Sequence, residues 1–427
     1  MRKFALPRWP DRAQQVWPGL SGTPVPEISL RPVARLALVG ADYPGLRPAF
    51  AVAEGDEVTA GQILFTDRSD PRIAIASPAA GRIERIAHGP RRSLSELVIR
   101  VAAEPESGAG PDIHATPPDV STGDALRAAI LAQGLWPAFR ARPYGGIPSP
   151  DAQPHAILVS ATDSEPWAAD PRALLAPVAG DLRHGLTLLA LLTPGSVHLC
   201  QPPGDALADA APRIAVHRFG GAHPAGLAGA QIRALGLAGL SVWTIGAQDV
   251  AAIGQLARRG RADPWRTVAL SGPRAARPRL LRTLPGAALG ELAEGEETAG
   301  GAVRVLAGSA LSGRDSAWLG RWHRQVTLID APDEPRLPRL PRWLAARAGS
   351  APRPILPMRA LESALPRGFL PVPLMRALAT GDVETAARLG AGELIEEDVA
   401  LLSALCTSGA DYGALLRHVL DEMERGA

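Results

Sequence analysis

Lysine is nearly missing from this chain. Lys3 stands alone in the first hundred residues, and the 45 basic residues, set against 43 acidic ones, are overwhelmingly arginine. A formal charge of +2 over 427 residues leaves no bulk field to draw in nucleic acid or an anionic membrane. Cysteine is almost as scarce. Cys200 and Cys406 lie far apart with no neighbouring cysteine, so neither a structural zinc nor a cysteine-ligated iron–sulfur cluster has a ligand set. No apolar run reaches the length of a membrane-spanning helix; Leu186 to Leu192 comes nearest and stops at Thr193-Pro194-Gly195. Pro7, Pro10 and Asp11 interrupt any apolar core of a secretion signal, and the chain reads as soluble and cytoplasmic. With no HExxH, no Ser-His-Asp elbow and no carboxylate pair at catalytic spacing, no catalytic residue and no metal site are assigned.

What is present begins with Val52 to Ile86. Glu54-Gly55-Asp56 and Thr59-Ala60-Gly61 bracket short β-branched runs, and Ile73 to Ile86 repeats the plan around a Ser77-Pro78-Ala79-Ala80-Gly81 corner. Two such halves make a flattened barrel-sandwich of the biotinyl/lipoyl kind, predicted over 33–103, with glycine where the corners turn sharply. The corner where a carrier lysine would stand reads SPAAGR. A swinging-arm carrier is therefore not expected, and the barrel is read as a docking or structural module.

The remaining chain divides by pattern. Residues 1–32 carry proline, glycine and little periodicity, and are expected to wrap a neighbouring surface. Ala102 to Thr122 is a linker. Over 122–262, a helix from Asp124 to Gln133 capped by Thr122 precedes four strands: Ala156 to Ser160, Ser196 to Cys200, Ile214 to His217 and Gly239 to Thr244. Strands alternating with helices predict a Rossmann-like parallel αβ layer. Its nucleotide fingerprint is absent, because ATDSEPWAADP follows the first strand, and the glycine-rich loop Gly220 to Gly226 contains Pro224 where a phosphate would want an N–H. Residues 266–330 read as a β-grasp unit around an acidic loop. Residues 331–372 form a proline- and arginine-rich arm, and 373–427 a helical C-terminal domain. In the arm, Arg336, Arg339, Arg342 and Arg353 suit either anionic headgroups or a solvated linker.

The segment HRFGGAHPAGLAGAQI, His217 to Ile232, resembles the A-subunit family of the bacterial sodium-pumping NADH:quinone oxidoreductase (NqrA). The likeness continues through Gln248-Asp249-Val250, Arg266 to Pro273, Leu311-Ser312-Gly313, Leu319 to His323 and Glu396 to Leu401. It implies a multidomain α/β chain whose β-grasp unit is of the SLBB type. It also implies a peripheral subunit on the cytoplasmic face of the inner membrane, partnered by the NqrB to NqrF proteins of the same complex and chiefly by the membrane-embedded NqrB. NADH:ubiquinone reductase activity coupled to sodium transport would belong to the whole complex, with the isolated chain not catalytic. FAD, FMN, riboflavin and iron–sulfur centres would lie in other subunits, leaving ubiquinone as the ligand linked to this one. A ligand-free scaffold and a subunit of a related Rnf-type redox complex are the alternatives. The chain departs from the family pattern over 331–372 and at Leu402, where one of two cysteines four apart is replaced.

If the chain binds quinone, the expected site joins His217, His223 and Trp243. The loop Gly220 to Gly229 permits close approach, the two histidines supply donor nitrogens near neutral pKa, and Trp243, taken to end its strand, returns to the same sheet edge. His323 and Trp322 are weighed in the same roles. Against this, histidines in tight loops also satisfy backbone carbonyls, and strand tryptophans also build cores.

Overall fold

The computed structural model describes residues 23–89, 93–102, 116–331, 354–366 and 368–426. The arginines expected along the proline-rich arm, and most of the 1–32 segment and the first linker, lie outside the described residues. The part of the N-terminal segment that is described does not merely wrap. Strand β1 (Val25–Leu30) joins the edge of the sheet built by residues 266–330, running parallel to a strand some 250 positions later in sequence.

The barrel-sandwich is two small sheets. Strands β2 (Arg35–Val39), β4 (Glu57–Val58), β7 (Gly81–His88) and β8 (Leu94–Val101) form one, in the order β2-β8-β7-β4. Strands β3 (Pro48–Phe50), β5 (Ile63–Asp67) and β6 (Ala74–Ala76) form the other. Leu64, Phe65, Ile83, Leu97 and Ile99 fill the space between them. Gly55 and Gly61 turn with φ of +93° and +84°, conformations that a Cβ disfavours. Gly81 serves differently: a Cβ there would sit 2.2 Å from the carbonyl oxygen of Arg100.

In the second domain, β9 (Arg140–Arg142), β10 (Ala156–Ser160), β11 (Val197–Gln201), β12 (Ile214–Arg218) and β13 (Val242–Gly246) lie in the order β12-β11-β10-β13-β9. All pairings are parallel except β13 with β9. The strand order reverses direction between β10 and β13, and ligands of such sheets collect outside the carboxyl ends at that point. Helices α1 (Gly123–Ala132), α2 (Pro171–Leu175), α3 (Ala179–Leu189), α4 (Ala228–Ala234) and α5 (Ala247–Arg259) flank the sheet. Thr122 Oγ1 accepts from Ala125 N at the start of α1, as predicted. The backbones of α3 and α5 touch, since a Cβ on Gly185 would lie 2.1 Å from Val250 O and one on Gly254 2.0 Å from Asp181 O.

The third unit has β14 (Arg266–Ser271), β15 (Arg279–Thr283), α6 (Leu289–Ala293), β16 (Val303–Ala307) and β17 (Gln325–Asp330), in the sheet order β1-β15-β14-β17-β16. Its acidic loop is pinned by Glu296, which takes two 2.8 Å hydrogen bonds from Arg279. The C-terminal domain packs α7 (Arg359–Glu362), α8 (Pro371–Thr380), α9 (Val383–Arg388), α10 (Ala400–Leu405) and α11 (Tyr412–Gly426) around Leu374, Met375, Leu402, Leu416 and Leu420. Gly381 ends α8 in the left-handed region at φ +69°, and Asp382 caps α9 through Thr385 N. Leu402 is fully buried in this core. No helix among the described residues is long and apolar enough to cross a membrane.

Candidate functional site

A cavity of about 1070 Å³, counted to its open mouth, lies against the carboxyl ends of β10 and β13. Its floor is Ser160, Ala161, Ile245 and Gly246, together with the first turn of α5. Arg266 and Val268 on β14 and the loop Arg321 to Arg324 face it from the β-grasp unit, and Ile395 and Glu397 from the helical domain. Three domains therefore wall the space where the sheet changes direction.

The walls are tied together by side chains. Gln248 of α5 acts like a strand neighbour to β14, donating to Thr267 O at 2.8 Å and accepting from Thr267 N at 3.0 Å. Arg324 Nη1 donates to Thr162 O at 2.9 Å, and its Nη2 lies 3.3 Å from the carboxylate of Asp163. Asp42, between β2 and β3 of the barrel, holds the Arg321 loop: it accepts from Arg321 N at 2.8 Å, and its carbonyl accepts from Trp322 Nε1 at 3.0 Å. The helical domain is anchored by Arg142 on β9, which donates to Asp398 at 2.8 Å and to Glu393 O at 2.9 Å.

Charge inside the cavity is high and mostly paired. Asp249, in the first turn of α5, accepts from Arg266 and from Arg321 Nη2. Burial pushes its carboxyl up, but the two guanidinium charges outweigh burial and hold it below the usual range. Glu397 goes the other way. Its burial, and then the charge of Asp398, raise it above the ordinary glutamate value. Arg140 lies over the indole face of Trp322 at 4.8 Å, and Arg321 reaches the same ring at 5.7 Å. Nε of Arg140 and Nε of Arg321 are both buried without a hydrogen-bond partner. Stranded donors beside an open cavity are costly unless something in it accepts from them. His323 also lines the cavity. Its Nδ1 accepts from Gly320 N at 3.1 Å, which leaves the proton on Nε2, and burial pushes its pKa down to about 4, so the ring is neutral at pH 7.

Comparison with known proteins gives the family directly. Residues 19–102 match the description "NqrA N-terminal barrel-sandwich hybrid domain", residues 121–262 "NqrA second alpha/beta domain" and residues 267–317 "NQRA C-terminal domain". The A-subunit of the Na(+)-translocating NADH-quinone reductase of Neisseria meningitidis serogroup C is 37% identical, over 92% of this chain and 94% of that one. The chain belongs to the NqrA family. Other members include the corresponding protein of Shewanella frigidimarina, 38% identical over 95% of this chain and 97% of its own, and that of Pseudomonas aeruginosa, 36% identical with the same coverages. Among solved structures, a chain of an NAD+-reducing [NiFe]-hydrogenase overlays with a TM-score of 0.41 at 16% identity. The overlay covers 72% of this chain and 62% of that one, too partial a likeness to bear on function.

The chain does not bring His217, His223 and Trp243 into one site, which corrects the expectation from sequence. The fourth strand begins at Val242, so Trp243 lies near its start and not at its carboxyl end. There it is 1% exposed and packs against Trp136 and Phe139, with ring centroids 5.4 Å away in each case. His217 sits on the outer strand β12 and meets His198, Nε2 to Nδ1 at 3.0 Å, with the rings stacked. His223 lies beside the cavity wall without lining the cavity. Ser164 Oγ accepts from Gly226 N and lies 3.3 Å from His223 Nδ1, which places the ring behind the Gly226 wall, buried, with Nε2 unpartnered. Burial holds its pKa down at about 4.

Of the residues considered in sequence, Trp322 and His323 do line the cavity. Arg140, Arg321 and Glu397 were missed. The blocks Leu319 to His323 and Glu396 to Leu401 contain Arg321 and Glu397, whereas Arg140 lies in the short Arg140-Ala141-Arg142 stretch, which carried no signal.

Proposed function

We propose that this chain serves as the A-subunit of a sodium-translocating NADH–quinone reductase, held peripherally on the membrane-embedded NqrB at the cytoplasmic face, and that its interdomain cavity receives a quinone headgroup. Near full-length relationship to proteins of that name supports the first part. The second is carried by one observation: two stranded guanidinium N–H groups and an indole face in a cavity whose lining also includes the apolar Leu174, Leu227, Ile245 and Val268. A quinone head is flat, mostly apolar and bears two carbonyl acceptors, the complement of such a lining. Arg140 and Arg321 would donate to the carbonyls, Trp322 would offer the ring a face, and neutral His323 adds a donor at the same wall. An Rnf-type electron-entry role fits less well, because Cys200 and Cys406 are each free and buried in different domains.

The test is made in the assembled complex. Trp322→Ala should raise KM for quinone about tenfold, a loss of about 1.4 kcal/mol of binding, while NADH oxidation by an artificial acceptor that bypasses quinone is unchanged. An unchanged KM would remove the cavity from quinone handling and leave a ligand-free scaffold as the better description.

A further inference from the structure

The cavity sits where a doubly wound sheet would ordinarily receive the phosphates of a nucleotide, at the open N-terminus of the helix that follows the strand beside the switch point. In this chain that helix is α5, thirteen residues long, and its N-cap Gly246 supplies no side chain to the first-turn N–H groups. A carboxylate occupies the position instead. Asp249 reaches back along the helix end, and a Cβ placed on Gly246 would lie 3.3 Å from its Oδ2. Its Oδ1 takes the two guanidinium groups, Arg266 and Arg321, that would otherwise face an incoming anion. All three side chains are largely buried. The remaining cationic groups of the cavity are also engaged: Arg324 with Asp163, and Arg140 over Trp322 in the field of Glu396 and Glu397.

We propose that Asp249 is a built-in substitute for a ligand's anionic group, and that by engaging both arginines beside the first turn of α5 it restricts the cavity to ligands without phosphate. This rests on reading the cavity as a ligand site and narrows the ligand to uncharged, planar molecules. The physical logic is charge balance. A buried carboxylate with two arginines and the positive end of a helix is satisfied. A phosphate brought to the same place would meet a second anion, with Arg266, Arg321 and Arg324 already paired to carboxylates. The glycine loop absent from the first strand-to-helix turn and the carboxylate present at α5 then act together. One removes the cradle and the other occupies the charge.

Inorganic pyrophosphate is the probe, titrated calorimetrically into the full chain and into Asp249→Asn, with melting temperatures followed over the same concentrations. The wild-type chain should show no saturable binding. Asp249→Asn, with Arg266 and Arg321 released, should bind at least about tenfold more tightly than wild type, and pyrophosphate should raise its melting temperature more than that of wild type. Adding Arg321→Gln should abolish the gain. Tight binding by wild type would overturn the proposal, and so would an Asp249→Asn chain that neither binds pyrophosphate nor is stabilised by it. Because quinone takes no part in this readout, failure of quinone to bind the wild-type chain would count against the functional reading alone.

Discussion

Replacing Asp398 by Ala should loosen the helical domain from the αβ domain by about 3 kcal/mol. Asp398 and Arg142 face each other at 2.8 Å with both side chains 4% exposed. At an effective dielectric constant near 20, that separation corresponds to an attraction of about 6 kcal/mol, most of which is cancelled by desolvating two ions. The intact pair is therefore nearly neutral in net stability, while removal of one partner leaves the other stranded. That stranding costs about 3–5 kcal/mol in comparable burial. The lower end applies here, because Glu397 remains 3.9 Å from Arg142 and Glu393 O still accepts from it. Asp398 also accepts from Ile395 N at 2.9 Å, an N–H that Asn would keep satisfied and Ala would not, so Asp398→Asn should cost roughly half as much. The double variant Arg142→Met with Asp398→Leu should recover to within about 1 kcal/mol of wild type. Amide exchange over residues 390–400 reads the local opening directly, which matters because a multidomain chain need not unfold in one step. A loss below about 1 kcal/mol for Asp398→Ala, or a double variant no better than the single one, would refute the reasoning.

Two further perturbations address the cavity walls. His323 has a folded pKa depressed to about 4 by burial, so the unfolded chain binds the extra proton, and its contribution to stability is full above about pH 6.5 and lost as pH falls toward 4. His323→Asn, which can keep an acceptor for Gly320 N, should therefore lose less stability than wild type between pH 7 and pH 5 in urea melts; parallel losses would contradict this assignment. Gly226→Ala would press a Cβ to 2.5 Å from Ser164 N and 2.8 Å from the carbonyl carbon of Asp163. That peptide unit cannot yield cheaply, so a destabilisation of about 1–3 kcal/mol is expected, and a thermal midpoint equal to that of wild type would show that the loop moves freely.

The barrel, the four parallel strands and the C-terminal helices were legible because their apolar periodicity is local. Thr122, Gly381 and Asp382 mark their helix ends with side-chain or backbone chemistry that any chain would read the same way. Strand β1 was not legible: Val25-Pro26-Glu27 looks unlike a strand, and Pro26 is tolerated because β1 lies at a sheet edge. Strand β9 is three residues of Arg-Ala-Arg whose strand character comes from pairing with β13, a tertiary effect. The site suffered from the same limit. Placing Trp243 at the end of its strand, when it lies near the start, moved it from the aromatic core to the ligand edge. Arg140, Arg321 and Glu397 come from three domains, and nothing in their spacing announces that they meet. Their partner residues did stand within recognisable blocks, Gln248-Asp249 and Leu319 to His323, so the region was marked even where the roles were not.

The central claim is that quinone binds between the sheet's switch point and the Trp322 loop. A water-soluble short-chain quinone titrated into the full wild-type chain, and into Arg140→Gln, Trp322→Ala and His217→Ala, tests it with folded protein confirmed by circular dichroism. Saturable one-to-one binding is predicted for wild type and His217→Ala, with losses of about 1–3 kcal/mol for Arg140→Gln and Trp322→Ala, the range for a buried acceptor or ring face left without its partner. Undiminished binding by both cavity variants, or no binding by the wild-type chain, would contradict it.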